Sequence, residues 1–229
     1  MPPQAGVIAS IRNAARGLYL NSFRLVPANL AWGVTLILVL YLVRFSPLAA
    51  LLWLLMIPLS AGLGRMTARL VRDDRATFAD WRQGFTREPG RILGIGFVQL
   101  ALMAVGVLDI TVGSQLPPPL GPFLAVASFY LLLATWVVAF VVWPVVLDPL
   151  RADEPILSRV RLGIRTFFAR PVAIGLLALL GLVLLFLGVL LPAALVTFVV
   201  ALVWLVSATI VLPTADRLEG RATLEVDED

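Results

Sequence analysis

The chain contains no cysteine, no histidine and no lysine. Without cysteine there are no disulfides and no thiol nucleophile; without histidine the common zinc ligand and the common general base are missing. Without lysine there is no Schiff-base chemistry and no P-loop lysine. Only carboxylates and hydroxyls remain as catalytic groups, so an enzyme is the least supported class and no cofactor is expected. Charge is scarce as well: 14% of 229 residues are charged, against about a quarter in soluble domains. Apolar residues make up 60% of the chain and the mean hydropathy is +0.97, the composition of an integral membrane protein.

Apolar runs over 26–43, 48–64, 92–112, 123–147, 172–190 and 193–212 approach the roughly 20 residues that cross a hydrocarbon core as a helix. The last two form one long run divided at Leu191-Pro192. The expected fold is all-α: six transmembrane helices in three hairpins, each hairpin preceded by an interfacial amphipathic helix. Residues 1–213 form one transmembrane domain, and 214–229 form a polar, partly disordered tail. The first 27 residues carry Arg12, Arg16 and Arg24 and lack a signal-peptide core, so no cleaved leader is expected.

Three stretches have the pattern of helices lying along an interface. Val7, Ile8, Ile11, Ala15, Leu18 and Tyr19 recur at helical spacing. Thr77 and Asp80 form a Thr-x-x-Asp start, followed by Phe78, Trp81 and Phe85 on one face. Asp153 and Pro155 precede Ile156, Val160, Ile164, Phe167 and Phe168, with arginines largely opposite.

All 18 basic residues are arginine, and seven lie between Arg65 and Arg91. With six spans, the N-terminal arm, that stretch, the 148–170 loop and the tail share one side, which then carries seventeen arginines against Arg44 alone on the other. The positive-inside rule puts both termini in the cytoplasm. Arginines beside apolar spans suit anionic headgroups rather than nucleic acid, which is not expected as a partner.

A proline stands before a span three times (Pro27, Pro89, Pro171) and toward the end of a return span three times (Pro58, Pro144, Pro213), as three copies of one unit would place them. Two proline habits at helix boundaries would give the same pattern. NLAWGVTLILVL, IPLSAGLGRMTARLVRDD and FADWRQGFTREPGRILGIG together resemble the YesL-like family of small bacterial membrane proteins, with Trp81 where phenylalanine is expected. The resemblance implies the bacterial plasma membrane, no established biochemical activity, and association with carbohydrate-uptake systems.

Few residues stand out as sites. Asp109 is the one acid within an apolar run, and Arg44 lies at similar depth, so an Arg44–Asp109 pair is one reading and two separately solvated charges the other. Gln99, about 10 Å beyond Ile92, suits a bond between helices. Arg65, Arg69, Arg72, Phe78, Trp81, Arg82 and Phe85 form the candidate lipid or partner contact. Asp73, Asp74, Asp80 and Glu88 interleave with arginines as a charge-balanced face would, and no metal site is expected. The leading expectation is a non-enzymatic accessory or scaffold protein touching anionic lipid and a sugar-transport permease. A small transporter or channel is the alternative.

Overall fold

The computed structural model describes residues 6–221, which are helical nearly throughout and include no strand. In chain order the helices are α1 (Val7–Leu20), α2 (Ser22–Val43), α3 (Met56–Asp73), α4 (Phe78–Thr86), α5 (Pro89–Gly113), α6 (Leu120–Val146), α7 (Ile156–Ala169), α8 (Pro171–Leu190) and α9 (Pro192–Leu218). Six are long and apolar enough to cross a membrane: α2, α3 with its lead-in from Leu48, α5, α6, α8 and α9.

The lead-in to α3 is a 3-10 helix, Pro47–Leu55. Nine residues at the 3-10 rise cover about 18 Å rather than the roughly 13 Å of an α-helix, so this span begins stretched. Just after the change of winding, Pro58 has no N–H to offer the Leu54 carbonyl. A second irregularity, the π-helical turn Leu195–Val199, interrupts α9. A π turn bonds one residue further along, leaving groups in its wall without helical partners. Asn29 of α2, wholly buried, supplies them: Nδ2 donates to the Leu195 and Val196 carbonyls at 2.8 Å each, and Oδ1 accepts from the Ala201 N–H at 2.8 Å.

α9 is the most buried span and packs against α1, α2, α3, α6, α7 and α8; α5 is the least buried. α5 and α6 meet in antiparallel register, with Gln99 facing Trp143, Gly106 against Leu132 and Gly113 against Gly121. The last contact is backbone to backbone, since a Cβ on Gly121 would lie 2.5 Å from the Gly113 carbonyl oxygen. The short helices gather where α3, α6 and α9 finish. α4 lies on α3 through Gly84, whose added Cβ would be 2.6 Å from the Ala61 carbonyl oxygen, and α7 meets α6 through Gly163. α1 buries Ser10 and Ala14 against α9 rather than lying free on a surface.

Two expectations change here. The tail assigned to 214–229 is helical through Leu218, because Thr214, Ala215 and Asp216 are buried against neighbouring helices and extend α9 beyond Pro213; 222–229 lie outside the described residues. The proline pattern holds in two units of three. Pro89 and Pro171 open α5 and α8 after near-identical caps, Glu88 (φ −138°, ψ 59°) and Arg170 (φ −143°, ψ 59°), whereas Pro27 lies inside α2.

Candidate functional site

The return spans α3, α6 and α9 end together, and each delivers a charge to the same buried place. Arg72 comes from the last turn of α3, Asp148 from the residue that caps the turn after α6, and Asp216 from the last turn of α9. Arg151 completes the set from the 3-10 turn Pro149–Arg151. The four side chains are at most 3% exposed.

The geometry is a closed ring. Arg72 donates Nε and Nη2 to Asp148 (3.2 and 2.6 Å), and Nη1 and Nη2 to Asp216, the latter at 3.0 Å. Arg151 donates Nη1 to Asp148 and Nη2 to Asp216 (2.6 Å), and reaches Glu219 at the rim with Nε and Nη2 (3.1 and 2.7 Å). Asp148 also accepts the Leu150 N–H at 3.1 Å, which fixes the turn that carries Arg151. Two cations and two anions cancel, and forked guanidiniums saturate both carboxylates. Burial on its own lowers the pKa of Arg151, but the hydrogen bond to Asp216, the charge of Asp148 and the bond to Glu219 outweigh it and leave the guanidinium above its ordinary value. It stays cationic at every working pH.

Two more buried arginines close the end of α6. Arg159 donates to the Val146 carbonyl (2.8 Å) and to Glu88 (2.6 Å), while Arg65 donates to the Leu147 carbonyl and to Gln83 (3.4 Å each). The last carbonyls of a helix lack intrahelical partners and carry partial negative charge, so a guanidinium is a natural cap. Higher in α6, Pro144 cannot donate to the Phe140 carbonyl, and Ser207 of α9 donates to it instead.

The predicted contact set therefore divides. Arg65 and Arg72 are buried and committed to internal partners, which removes them as lipid or partner contacts. Trp81 turns inward, since the missing side chain of Gly62 leaves room for its indole; Phe85 packs edge-on to it at 5.1 Å. Arg69 is half-exposed and pairs with Asp73 at 2.7 Å. Arg82 and Phe78 face outward. Asp109 accepts from Ser128 at 3.5 Å, and among the described residues no ion pair joins it to Arg44, which sits exposed beyond α2. The Thr77–Asp80 capping box is present at the start of α4. α7 turns Arg159, Leu162, Gly163 and Thr166 inward and leaves Ile164 and Phe168 exposed.

The bundle also holds a partly open cavity of about 260 Å3, and every one of the six spans contributes to its wall. Four tryptophans line it: Trp32, Trp136, Trp143 and Trp204. Three of their indole N–H groups are bonded: Trp32 to Ser60 (2.8 Å), Trp136 to the Ala178 carbonyl (2.8 Å) and Trp143 to Gln99 Oε1 (2.5 Å). Gln99 thus does join two helices, as its position suggested.

Neither the charge ring nor Asn29 was found from the sequence. A usable signal existed: Pro144 precedes Asp148 by four residues and Pro213 precedes Asp216 by three, a recurrence at the ends of two return spans. Among the described residues no group of three or more His, Cys, Asp or Glu side chains is placed to hold a metal. No family model, no curated protein and no solved structure matches the chain.

Proposed function

We propose that the protein is a non-enzymatic accessory or scaffold protein of the bacterial plasma membrane, with both termini cytoplasmic. In this reading the spans form three hairpins, and α1, α4 and α7 lie at the cytoplasmic interface ahead of them. The arginine-rich face holds anionic lipid headgroups and presents a surface to a membrane partner. A carbohydrate-uptake permease is the partner proposed, on the family resemblance alone.

One observation carries the reading. Arg12, Arg16, Arg75, Arg82, Arg161 and Arg165 are all exposed, and none forms an ion pair with another described residue. The buried arginines serve the fold, so on the arginine-rich face these six are charges left for something outside it. Near an anionic leaflet each basic residue is worth about 1 kcal/mol. In nanodiscs of mixed phosphatidylcholine and phosphatidylglycerol, the protein is expected to enrich the anionic lipid around itself. Replacing Arg12, Arg16, Arg75, Arg82, Arg161 and Arg165 together by Gln abolishes the enrichment; an unchanged lipid shell would sink the reading. Repeated purification from native membranes without a co-purifying membrane protein would count against the partner.

A second reading, a small transporter, is favoured by the cavity that all six spans line. Uptake of solute into proteoliposomes, absent from empty vesicles, would select it over the scaffold.

A further inference from the structure

We propose that the tryptophan-lined cavity is a binding site for a neutral amphiphile, an apolar chain lying against the indoles with one carbonyl oxygen accepting from the Gln99 side-chain amide. The inference holds whether the protein is a scaffold or a transporter, because binding does not require passage.

The wall selects this class of ligand. Besides the four indoles it is formed by Met56, Ile57, Leu100, Leu185, Val200 and other apolar groups, and no charged residue lines it. A charged ligand would be stranded there without a counter-ion. Water is also poorly served. A buried water needs two to four polar partners, and most polar groups here are already engaged. Ser207 donates to Phe140, Ser60 receives Trp32, and the Trp136 and Trp143 indole N–H groups are taken by the Ala178 carbonyl and Gln99. Apolar cavities of this kind stay dry and take apolar guests.

One donor remains. Gln99 uses Oε1 to accept from Trp143, which fixes the amide so that its NH2 is the other end, and that NH2 has no partner among the described residues. A side-chain amide held by a neighbour and lining an apolar space with an unused N–H is a specificity element, because it rewards an acceptor oxygen on the guest. Gln99 lies roughly 15 Å along α5 from Pro89, well within the hydrocarbon depth of the bilayer, where an apolar chain is the natural guest and a polar acceptor on it would have no water to bond. The volume of about 260 Å3 is near the small end of ligand pockets, which suits a single chain rather than a two-chain phospholipid.

The test uses the cavity's own fluorophores. The full chain in phosphatidylcholine nanodiscs is titrated with methyl 9,10-dibromostearate, whose bromines quench indole emission on contact. Saturable quenching that unbrominated methyl stearate reverses by competition is expected. Quenching that rises linearly, or that the competitor leaves untouched, would show only partition into the bilayer and overturn the proposal. Ala139→Leu fills the wall and is expected to remove the saturable part. Gln99→Leu is expected to weaken the ester about fivefold, the worth of one neutral hydrogen bond, while leaving 9,10-dibromooctadecane, which lacks the carbonyl, unchanged. Equal loss for ester and alkane would overturn the assignment of Gln99.

Discussion

Arg72 and Asp216 belong to segments 144 residues apart, yet each completes the other's hydrogen bonding with no access to solvent. A buried ion pair is weak evidence of net stabilisation, but removing one member strands the rest. Asp216→Asn leaves Arg72 and Arg151 sharing Asp148, with Glu219 only at the rim. The expected loss is about 3–5 kcal/mol of unfolding free energy, measured by denaturant titration in detergent. Arg72→Leu combined with Asp216→Leu should lose less than the two singles added, by about 0.5–3 kcal/mol, as expected for groups that touch. Additive losses would mean that the ring does not act as a unit. At this scale the sequence was informative about residue type and silent about partners. Arg65, Arg72 and Arg82 are identical in kind, and only the packing of α3 against α6 and α9 separates the two that turn inward from the one that stays outside. Asp148 and Asp216 stand at the edges of apolar runs, where an ordinary solvated charge would also stand.

An irregular helix must find partners for the groups its irregularity frees, and in α9 one residue of α2 meets that need. Asn29→Leu would leave the Leu195 and Val196 carbonyls and the Ala201 N–H without Asn29, at about 1–3 kcal/mol for each group left unsatisfied. The Ala201 amide is expected to exchange with deuterium faster in this variant while α5 amides are unaffected; unchanged protection at Ala201 would mean that the bulge repairs itself by rewinding to α-helix. Ser207→Ala makes the matching test in α6. It removes the donor that stands in for the absent Pro144 N–H, with an expected loss of about 1–3 kcal/mol by thermal or chemical unfolding. The helices themselves were legible from apolar length and from start signals such as Thr77 with Asp80. The winding changes were not, because a π turn in a uniformly apolar run alters no residue pattern. A lone Asn in a span is its only trace.

Six spans could be read from the chain because the bilayer imposes a length that few other structures need, but their ends could not: the helices begin as early as Ser22 in α2 and run on to Asp73 in α3 and Leu218 in α9. The packing order could not be read. Leucine and valine faces on α5, α6, α8 and α9 are nearly interchangeable, and glycine contacts such as Gly113 with Gly121 gain meaning only once the two helices are side by side. Orientation is the whole-molecule property on which the proposed function depends, and the absence of cysteine makes it directly measurable. Gln115→Cys places one thiol in the exposed turn between α5 and α6, and Arg161→Cys places one on the exposed side of α7, in the arginine-rich face. If the proposed topology holds, with seventeen of the 18 arginines on the cytoplasmic side, a membrane-impermeant maleimide labels Gln115→Cys on intact cells and labels Arg161→Cys only after lysis. Labelling in the reverse pattern would put the exposed arginines outside the cell, away from the anionic cytoplasmic leaflet. The headgroup contact would then have no surface to act on, whereas the charge ring and the cavity, which depend on internal contacts alone, would be unaffected.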